Sequence, residues 1–526
     1  MSQDSKRRHM RWWMPAALIV LAGGIAAFFW FSGVTFLEPI LIGIGLLTAL
    51  LLGLWYIFFT GLRWRTRCIL VLMSTGFLVG LYYGVTRLTR VEGLRGSMIP
   101  RLVWKWAPRR EGAAGPLRLE PESTSRNPPA GMGASQEGSF PQFLGPDRSG
   151  VLAGIPLRRD WDGSPPRAVW RQPIGLGWSA FAVSGRHAIT QEQRREEELI
   201  VCYELQTGHA LWAHTNHVRF SESLGGDGPR ATPTIRQGRV YAMGATGILD
   251  CLEEATGRLI WTRDVLGENH LTNPHWGKSC SPLLAHDLVV VTGGDQSEKT
   301  LLAYDAATGK PVWQAGRDQA SYCSPLLVSV AGREQILMVN GNSVTGHDPN
   351  SGEILWEYRW PAPAPKATQP LVVDTNRVLI AAGYDVGCVM LRIDCSASGA
   401  WSATALWKSR DLRPKFTNLV RRGRYVYGLD EGVLACLNLE QGRRQWRQGR
   451  YGHGQILLLD DLLLVQAESG EVVLVEINPE KPRKRAWFPA LRGKTWNNPA
   501  LLGDLLLVRN DHEAACYRLP LNPPRP

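Results

Sequence analysis

The sequence predicts an all-β domain, an eight-bladed β-propeller, preceded by three transmembrane α-helices. Three observations favour this fold class. A short phrase that ends in tryptophan, such as DAATGKPVW, recurs along the chain. A second pattern, a polar patch running into an apolar strand, recurs with it, and three long apolar runs lie in the first hundred residues.

The recurring phrase sets the period of the repeat. Its tryptophans are about 45 residues apart on average, and four-stranded propeller blades repeat every ~40–50 residues. The TG glycine allows a tight turn between two β-rich runs. We predict that each tryptophan is a structural wedge that docks one blade on the next. These residues are Trp170, Trp212, Trp261, Trp313, Trp356, Trp407, Trp446 and Trp487.

The number of polar patches predicts the number of blades. Eight inner-strand starts can be aligned: WSAFAV, RATPTI, KSCSPLL, SYCSPLLV, KATQPLVV, KFTNLV, GHGQILLL and KTWNNPALL. No tryptophan strand follows the eighth start, and residues 168–171 would supply it from the N-terminal side. Such a closure leaves no unpaired sheet edge in the ring. The propeller is expected over residues 140–526, and seven blades is the competing count.

The N-terminal part is predicted to cross a membrane. Residues 12–31, 40–60 and 68–85 contain no charged side chain and have close to the ~20 residues that a spanning helix requires. Interfacial aromatic residues lie near their ends. Because none of the three runs contains a charged group to carry ions or protons, we interpret the helices, within residues 12–86, as an anchor in the lipid bilayer.

The lysines and arginines indicate the orientation. Four basic residues precede the first apolar run, none lies in the first loop, and three lie in the second. The positive-inside rule then places residues 1–11 in the cytoplasm and the propeller outside, in the periplasm of a bacterium with the chain in its inner membrane. Arg87, Arg90 and Arg95, after the third run, oppose this assignment.

The net charge of +12 does not indicate a nucleic-acid partner. Residues 1–110 carry a net charge of +11, so the rest of the chain is nearly neutral at +1. The basic residues are juxtamembrane, where they favour anionic lipid head groups. Residues 87–139 are expected to form this basic segment and a flexible linker, since residues 107–139 contain almost no large apolar side chain.

The nine cysteines are scattered and include no CxxC pair. They therefore predict neither a disulfide scaffold nor a zinc or haem site. A bridge between Cys280 and Cys323, at equivalent places in neighbouring inner strands, stays open as an alternative.

The DxxTGxxxW phrase with SPL and TPT strand starts resembles the quinoprotein-type, PQQ-like (pyrroloquinoline-quinone) β-propeller repeat, including its BamB-like members. The segment FPQFLGPDRSG resembles the beginning of bacterial propellers of this group, and VEGLRGSMIPRLVWKW resembles the segment that joins membrane helices to such propellers. The resemblance implies an eight-bladed ring with two functional branches. One comprises dehydrogenases with a quinone and Ca²⁺ at the ring's mouth, and the other is non-catalytic, like BamB of outer-membrane protein assembly.

The dehydrogenase branch is not matched by motifs. Several of its soluble members stack the quinone on a disulfide between adjacent cysteines, and this chain has no Cys-Cys pair. It also has no CxxCH haem motif, and no clear counterpart of the acidic and amide residues that hold calcium. We therefore expect no cofactor and no catalytic or metal-binding residues, with PQQ and Ca²⁺ as the alternative.

The inner-strand starts predict a candidate ligand site. In a propeller these positions recur around the central channel, where cations, amides and flat rings would suit an anionic ligand. Polar rings around a water-filled channel need no ligand, however, and this alternative stays open. The candidates are Arg230, Trp276, Lys278, Lys366, Lys415, His453, Lys494, Asn497 and Asn498.

These observations favour a membrane-anchored periplasmic protein that acts as a non-catalytic binding or scaffolding protein of the cell envelope. An envelope protein is the expected partner. The alternative function is a membrane-bound PQQ-dependent dehydrogenase.

Overall fold

The computed structural model describes residues 13–32, 37–59, 63–94, 99–107, 114–119, 138–222, 224–294 and 299–523. The chain divides into two compact units, Met1–Ala107 and Pro108–Pro526. The predicted cytoplasmic segment, residues 1–11, lies outside the described residues.

The first unit contains the three predicted apolar helices. They are α1 (Trp13–Ser32), α2 (Leu37–Phe59) and α3 (Trp64–Leu88). Two segments, Ile40–Phe59 and Trp64–Leu88, are long and apolar enough to cross a membrane, whereas the apolar part of α1 is shorter. Helix α3 begins four residues before the predicted run because it includes basic residues. Arginine is a good helix former, so the helix continues where the apolar pattern stops.

A two-stranded antiparallel hairpin, β1 (Thr89–Leu94) and β2 (Pro100–Trp104), follows α3. The sequence pattern did not predict it, since this stretch was assigned to the basic segment and linker over residues 87–139. Within the remainder of that linker, residues 108–113 and 120–137 lie outside the described residues.

The second unit is an eight-bladed propeller, which confirms the predicted count. Each blade is a four-stranded antiparallel sheet, with strands in chain order in blades one to seven, and two blades carry an added short strand. The strands of blades one to four are Ala182–Ser184, His187–Arg194, Glu197–Glu204 and Ala210–Asn216; Thr234–Arg236, Arg239–Met243, Ile248–Glu253 and Leu259–Asp264; Leu283–Ala285, Leu288–Thr292, Leu301–Asp305 and Pro311–Ala315; and Leu326–Val330, Arg333–Val339, Ser343–His347 and Ile354–Arg359.

Blades five to eight complete the ring. Their strands are Leu371–Val372, Arg377–Ala382, Gly387–Cys395 and Trp401–Ser409; Val420–Arg422, Tyr425–Asp430, Val433–Asn438 and Arg443–Arg450; Gln455–Leu459, Leu462–Gln466, Glu471–Glu476 and Arg483–Pro489; and Ala500–Leu502, Leu505–Arg509, Glu513–Arg518 and Arg167–Pro173. A short helix, α4 (Val265–Asn269), follows blade two.

The closing strand of blade eight comes from the N-terminal side. Arg167–Pro173 pairs antiparallel with Glu513–Arg518, and Trp170 lies opposite Cys516. This strand was predicted because no tryptophan strand follows the eighth inner-strand start. Because the first and last parts of the propeller share one sheet, the ring closes without a free edge at that blade.

The phrase tryptophans lie on the outer strands, and most of them contact the next blade. Six of the eight indoles donate a hydrogen bond from Nε1 to a backbone carbonyl of the following blade, at 2.8–3.2 Å. The bonds run from Trp170 to Leu205, Trp212 to Glu254, Trp261 to Ala306, Trp313 to Pro349, Trp407 to Leu439 and Trp446 to Asn478.

Two tryptophans make different contacts from the other six. Trp356 donates to Gln335 Oε1 of its own blade at 2.7 Å, and its ring is buried in an apolar cluster that includes residues of blades four and five. Trp487 is 51% exposed, with the Lys484 amine over its ring at 4.8 Å. The eighth blade has no phrase turn of its own to receive it.

Residues 138–152 cross the inner edges of the blades. Ser139–Phe140 pairs with the inner strand of blade one, and Val151–Leu152 pairs in parallel with that of blade seven. Between them, the buried Arg148 guanidinium donates to the carbonyls of Ser281 and Pro282 in blade three, at 3.1 and 3.0 Å. A segment that contacts blades on opposite sides of the ring crosses its axis, so it covers one end of the central channel.

Candidate functional site

The inner-strand starts, which we call the mouth, begin each blade beside the central channel, and Arg148 of residues 138–152 reaches the start of blade three. The propeller repeat brings these sequence-distant positions into one ring. Their side chains fall into three groups: buried amines bound to backbone carbonyls, small polar groups that join neighbouring blades, and partly exposed aromatic rings.

The buried amines do not face an open channel. Lys278 Nζ donates to the backbone oxygen and Oγ1 of Thr292, both at 2.6 Å, and to the Gly293 carbonyl. Lys366 Nζ donates to the Gly341 carbonyl. Burial lowers the pKa of Lys278 to about 8 and also lowers that of Lys366. Both were predicted as ligand-binding groups at the mouth, and the structure places them 1% exposed, with backbone oxygens as their partners.

Lys415 forms a buried ion pair that sequence reasoning missed. Its Nζ lies 3.4 Å from Glu431 Oε2, and both side chains are almost fully buried. Burial lowers the pKa of Lys415, and the Glu431 carboxylate opposes this shift. Glu431 follows the second strand of blade six, and Glu468 holds the equivalent place in blade seven. An acidic residue recurs at this position in both blades, and this recurrence is the sequence signal that could have predicted a partner for Lys415.

Glu468 organises the next part of the mouth. Its carboxylate accepts hydrogen bonds from the backbone N–H of His453 at 2.9 Å and from Trp496 Nε1 at 3.0 Å. His453 is buried, and burial together with nearby Lys415 lowers its pKa well below the ordinary value. This histidine is therefore neutral at physiological pH and contributes no positive charge to an anion site.

Two other predicted cations also have local partners. The Lys494 amine lies over the rings of Trp178 and Trp496, at 4.6 and 4.0 Å. Arg230 donates to the carbonyls of Gly226 and Gly228, and its guanidinium lies 4.6 Å above the Phe220 ring. Burial lowers the pKa of Arg230 to about 10, with Glu222 opposing the shift.

The small polar groups form a hydrogen-bonded girdle from blade to blade. Backbone amides donate to side-chain oxygens of the next blade in the first half of the ring and from Gln369 to Asn418 Oδ1, and side-chain amides or hydroxyls are the donors of the other links. The links are Ala180 to Thr232, Thr232 to Ser281, Ser281 to Ser324, Gln369 to Ser324, Gln369 to Asn418, Thr417 to Gly454, Gln455 to Trp496 and Asn497 to Ser179.

The girdle assigns a structural role to one predicted ligand residue. Asn497 Nδ2 donates to the Ser179 carbonyl at 2.8 Å, which links blade eight to blade one. Asn498 lies at the girdle position of its blade, and its Oδ1 has no hydrogen-bond partner among the described residues. The alternative that polar groups around the channel need no ligand accounts for most of this ring.

The aromatic side chains form a partly exposed rim around the mouth. Trp276 packs on Tyr322 with ring centroids 5.3 Å apart, while Trp496 contacts Trp178 at 4.9 Å and Phe416 at 5.0 Å. We define the rim as Trp178, Trp276, Tyr322, Tyr384, Phe416 and Trp496, each of intermediate exposure. Of these, only Trp276 was among the predicted site residues.

The mouth does not fit a quinone with calcium. The amines of Lys278 and Lys366 and the amide of Asn497 already donate to backbone oxygens. No group of three or more His, Cys, Asp or Glu side chains that could hold a metal ion occurs within the described part of the chain. Cys280 and Cys323, the alternative disulfide pair, are both free thiols.

Comparison with known proteins supports the repeat and finds relatives in both of its functional branches. Residues 195–448 match the family described as outer membrane protein assembly factor BamB. BamB of Yersinia pestis is 26% identical over 281 residues, which cover 50% of this chain and 65% of that protein. The dehydrogenase subunit of the quinone alcohol dehydrogenase of Komagataeibacter europaeus is 25% identical over 193 residues, covering 33% of this chain and 24% of that subunit.

A solved structure shares the fold. The crystal structure of BamB from Moraxella catarrhalis aligns with a TM-score of 0.50 and 15% identity, over 67% of this chain and all of that chain. The resemblance to PQQ-like, BamB-like propellers is thereby confirmed. The matched sequence segments span less than two thirds of each curated relative's length. The match therefore shows a shared repeat and does not extend the activity of those proteins to this chain.

Proposed function

We propose that this chain, whose propeller carries PQQ-like repeats similar to those of BamB, is a membrane-anchored, non-catalytic binding protein of the cell envelope. Its helices would hold it in the bacterial inner membrane, with the propeller in the periplasm. The expected partner is an envelope protein that contacts the aromatic rim.

The observation that carries this proposal is that most polar side chains of the mouth already have hydrogen-bond partners within the propeller. Cofactor binding would require free donors and a set of metal ligands, whereas the buried lysines donate to backbone carbonyls and Asn497 joins two blades. The side chains that remain partly accessible are mainly aromatic. Aromatic residues are enriched at the centres of protein interfaces, so the rim supports a binding role more than a catalytic one.

Crosslinking in cells tests the partner. A photoreactive residue at Trp276, on the rim, is expected to capture an envelope protein, while the same residue at Trp487 is the matched control. Trp487 is also accessible but lies on the outer strand of blade seven. Equal capture at both positions, or none at Trp276, would contradict the rim as the contact surface.

Cofactor reconstitution tests the alternative. The full chain, purified in detergent, is mixed with PQQ and Ca²⁺ and assayed for cofactor absorbance and for dye reduction with alcohols or sugars. We expect neither signal. Cofactor-dependent dye reduction would favour the membrane-bound dehydrogenase and overturn the non-catalytic role.

A further inference from the structure

The hairpin β1–β2 is fixed to the end of helix α3. The backbone N–H of Lys105 donates to the Leu88 carbonyl at 2.8 Å, which ties the hairpin's exit to the last helical residue. The Arg90 guanidinium donates to the carbonyls of Lys105 and Ala107, at 2.8 and 3.0 Å. These bonds bring both ends of the hairpin to the helix terminus, so the hairpin continues the helix as a structured element.

One face of this hairpin is apolar and exposed. Val91 lies opposite Leu102 and Thr89 opposite Trp104, and residues two apart on a strand share a face. The exposed fractions are 55% for Val91, and 52% for both Leu102 and Trp104. Trp106, 67% exposed, stacks on Trp104 with ring centroids 4.9 Å apart and planes 12° apart. Two stacked indoles and two aliphatic side chains therefore form a contiguous apolar patch.

Cationic side chains adjoin the same patch. Arg87 lies in the last turn of α3, and Lys105 lies between the two stacked tryptophans in sequence, whereas Arg101 alternates with Leu102 and lies on the opposite face of β2. Tryptophan beside arginine and lysine at the end of an apolar helix is the combination that suits the bilayer interface. Indole rings prefer the head-group layer, and basic groups attract anionic lipid phosphates.

We propose that this face of the hairpin inserts into the interfacial layer of the bilayer that α3 crosses, on the side where the propeller lies. Leu102, Trp104 and Trp106 enter the boundary between head groups and acyl chains, while Arg87 and Lys105 bind anionic head groups. The inference rests on the membrane anchoring given under the proposed function. It adds a lipid-binding surface to a segment that otherwise serves only as a connection.

Lipid is a better occupant of this face than a protein. The hairpin is continuous with a helix long and apolar enough to span a membrane, so the bilayer surface would lie directly beside it. A specific protein interface usually buries about 800 Å² on each partner, which is large for one face of two short strands. A second copy of this chain and the propeller itself are the other occupants that an experiment must distinguish.

Photocrosslinking of the full chain in vesicles tests the proposal. A photoreactive residue replaces Leu102 on the apolar face, and the matched control replaces Val103, which points to the opposite face. In vesicles of phosphatidylethanolamine and phosphatidylglycerol, we expect severalfold more lipid adducts at position 102 than at 103. Equal lipid yields, or a protein adduct at position 102, would overturn the proposal.

A charge variant tests the head-group contacts. Arg87→Gln combined with Lys105→Gln should lower the share of phosphatidylglycerol among the lipid adducts at position 102. The Arg518→Gln variant, which changes a charge on the propeller, should leave that share unchanged. If the double variant keeps the same lipid preference, the assignment of anionic head groups to these side chains is wrong.

Carbonate extraction separates this inference from the proposed function. If the chain is extracted from membranes by alkaline carbonate, membrane anchoring fails, and the hairpin proposal fails with it. If the chain resists extraction but position 102 yields no lipid adducts, only the hairpin proposal is overturned. Resistance with lipid adducts confined to position 102 supports both.

Discussion

In five of the tryptophan phrases, the glycine lies under an indole of the preceding blade. A Cβ atom added at Gly208, Gly257 or Gly309 would lie within 2.7 Å of a ring atom of Trp170, Trp212 or Trp261, respectively. These glycines also have positive φ, between 69° and 75°. The turn glycine of one blade therefore packs against the tryptophan of the blade before it, and together they form one contact between the two blades. At the residue scale, this pairing explains why the two recur together.

Adding one methyl group should measure the indole contact. Gly309→Ala places a Cβ 2.6 Å from the Trp261 ring, whereas Gly332→Ala has a similar φ of +78° but meets no atom within 4 Å. The control should cost about 1 kcal/mol through backbone strain alone. Gly309→Ala should cost about 1–3 kcal/mol more, as overpacking does. Midpoints of urea unfolding check this prediction. Equal shifts for the two variants would contradict the close packing of Gly309 against the Trp261 indole.

Lys278 should make the stability of the propeller depend on pH. Burial lowers its pKa to about 8, and an unfolded lysine titrates near 10.4. Between these values the unfolded chain binds more protons, so this residue makes stability rise with pH across that window. Below about pH 8, its protonated amine opposes folding.

The comparison with Lys278→Met isolates that contribution, because other titrating groups are common to both proteins. We expect the wild type to gain stability relative to the variant as the pH rises from about 8 to about 10. Unfolding midpoints measured across this range check it. A difference between the two proteins that stays constant with pH would show that the amine is not buried as described.

At the scale of elements, blade eight is held to blade one by more than its closing strand. The buried Arg509 guanidinium donates to Thr190 Oγ1 at 2.7 Å and to the carbonyls of Gln191 and Gly175, at 2.8 and 3.1 Å. Asn497 adds a girdle bond across the same seam. Sequence reasoning predicted the shared strand but not this arginine, since one buried cation in a strand has no repeat to mark it.

Removing this arginine should loosen the closure. Arg509→Met leaves several buried acceptors without their donor, and each such loss costs about 1–3 kcal/mol. We expect a lower unfolding midpoint and faster hydrogen exchange in Arg167–Pro173 and His187–Arg194. Arg518→Met is the control, because Arg518 is half-exposed and pairs only with Asp504 at the surface, where an ion pair is worth roughly 0–1 kcal/mol. Similar effects from both variants would contradict the role of Arg509 in holding blade eight to blade one.

At the scale of the whole molecule, the chain consists of two units that divide at residues 107 and 108. The positive charge is concentrated in the first and the sheets in the second. Residues 114–119 contact blade one, since Arg194 donates to the carbonyls of Ala114 and Gly115 at 3.1 and 2.8 Å. Each unit therefore has its own internal contacts, and the propeller should be stable without the helices.

Cutting between the units should release a folded propeller. A protease site inserted between Ala107 and Pro108 is expected to free the second unit from membranes while the helices stay in the pellet. The released propeller should unfold at the same midpoint as the propeller in the intact chain, because its core clusters lie within one unit. Retention in the membrane fraction after complete cleavage would indicate a further attachment.

The eight-fold ring, its closing strand and the apolar helices could be predicted because each depends on a local signal. Residue periodicity, turn glycines and long apolar runs can be seen without knowing which parts of the chain meet. The direction of each mouth side chain could not be predicted in this way. Whether a lysine such as Lys278 faces the channel or a carbonyl depends on the turn that follows the second strand of a blade, which is distant in sequence.

The sequence by itself determined the repeat, the number of blades and which residues approach the axis, because these follow from period and pattern. Only the tertiary structure decided what those residues do there. Closing eight sheets into a ring buries amines and amides together, and burial without a partner is costly. Lys278, Lys366 and Asn497 therefore bind backbone oxygens, and the aromatic rim remains as the partly exposed surface of the mouth.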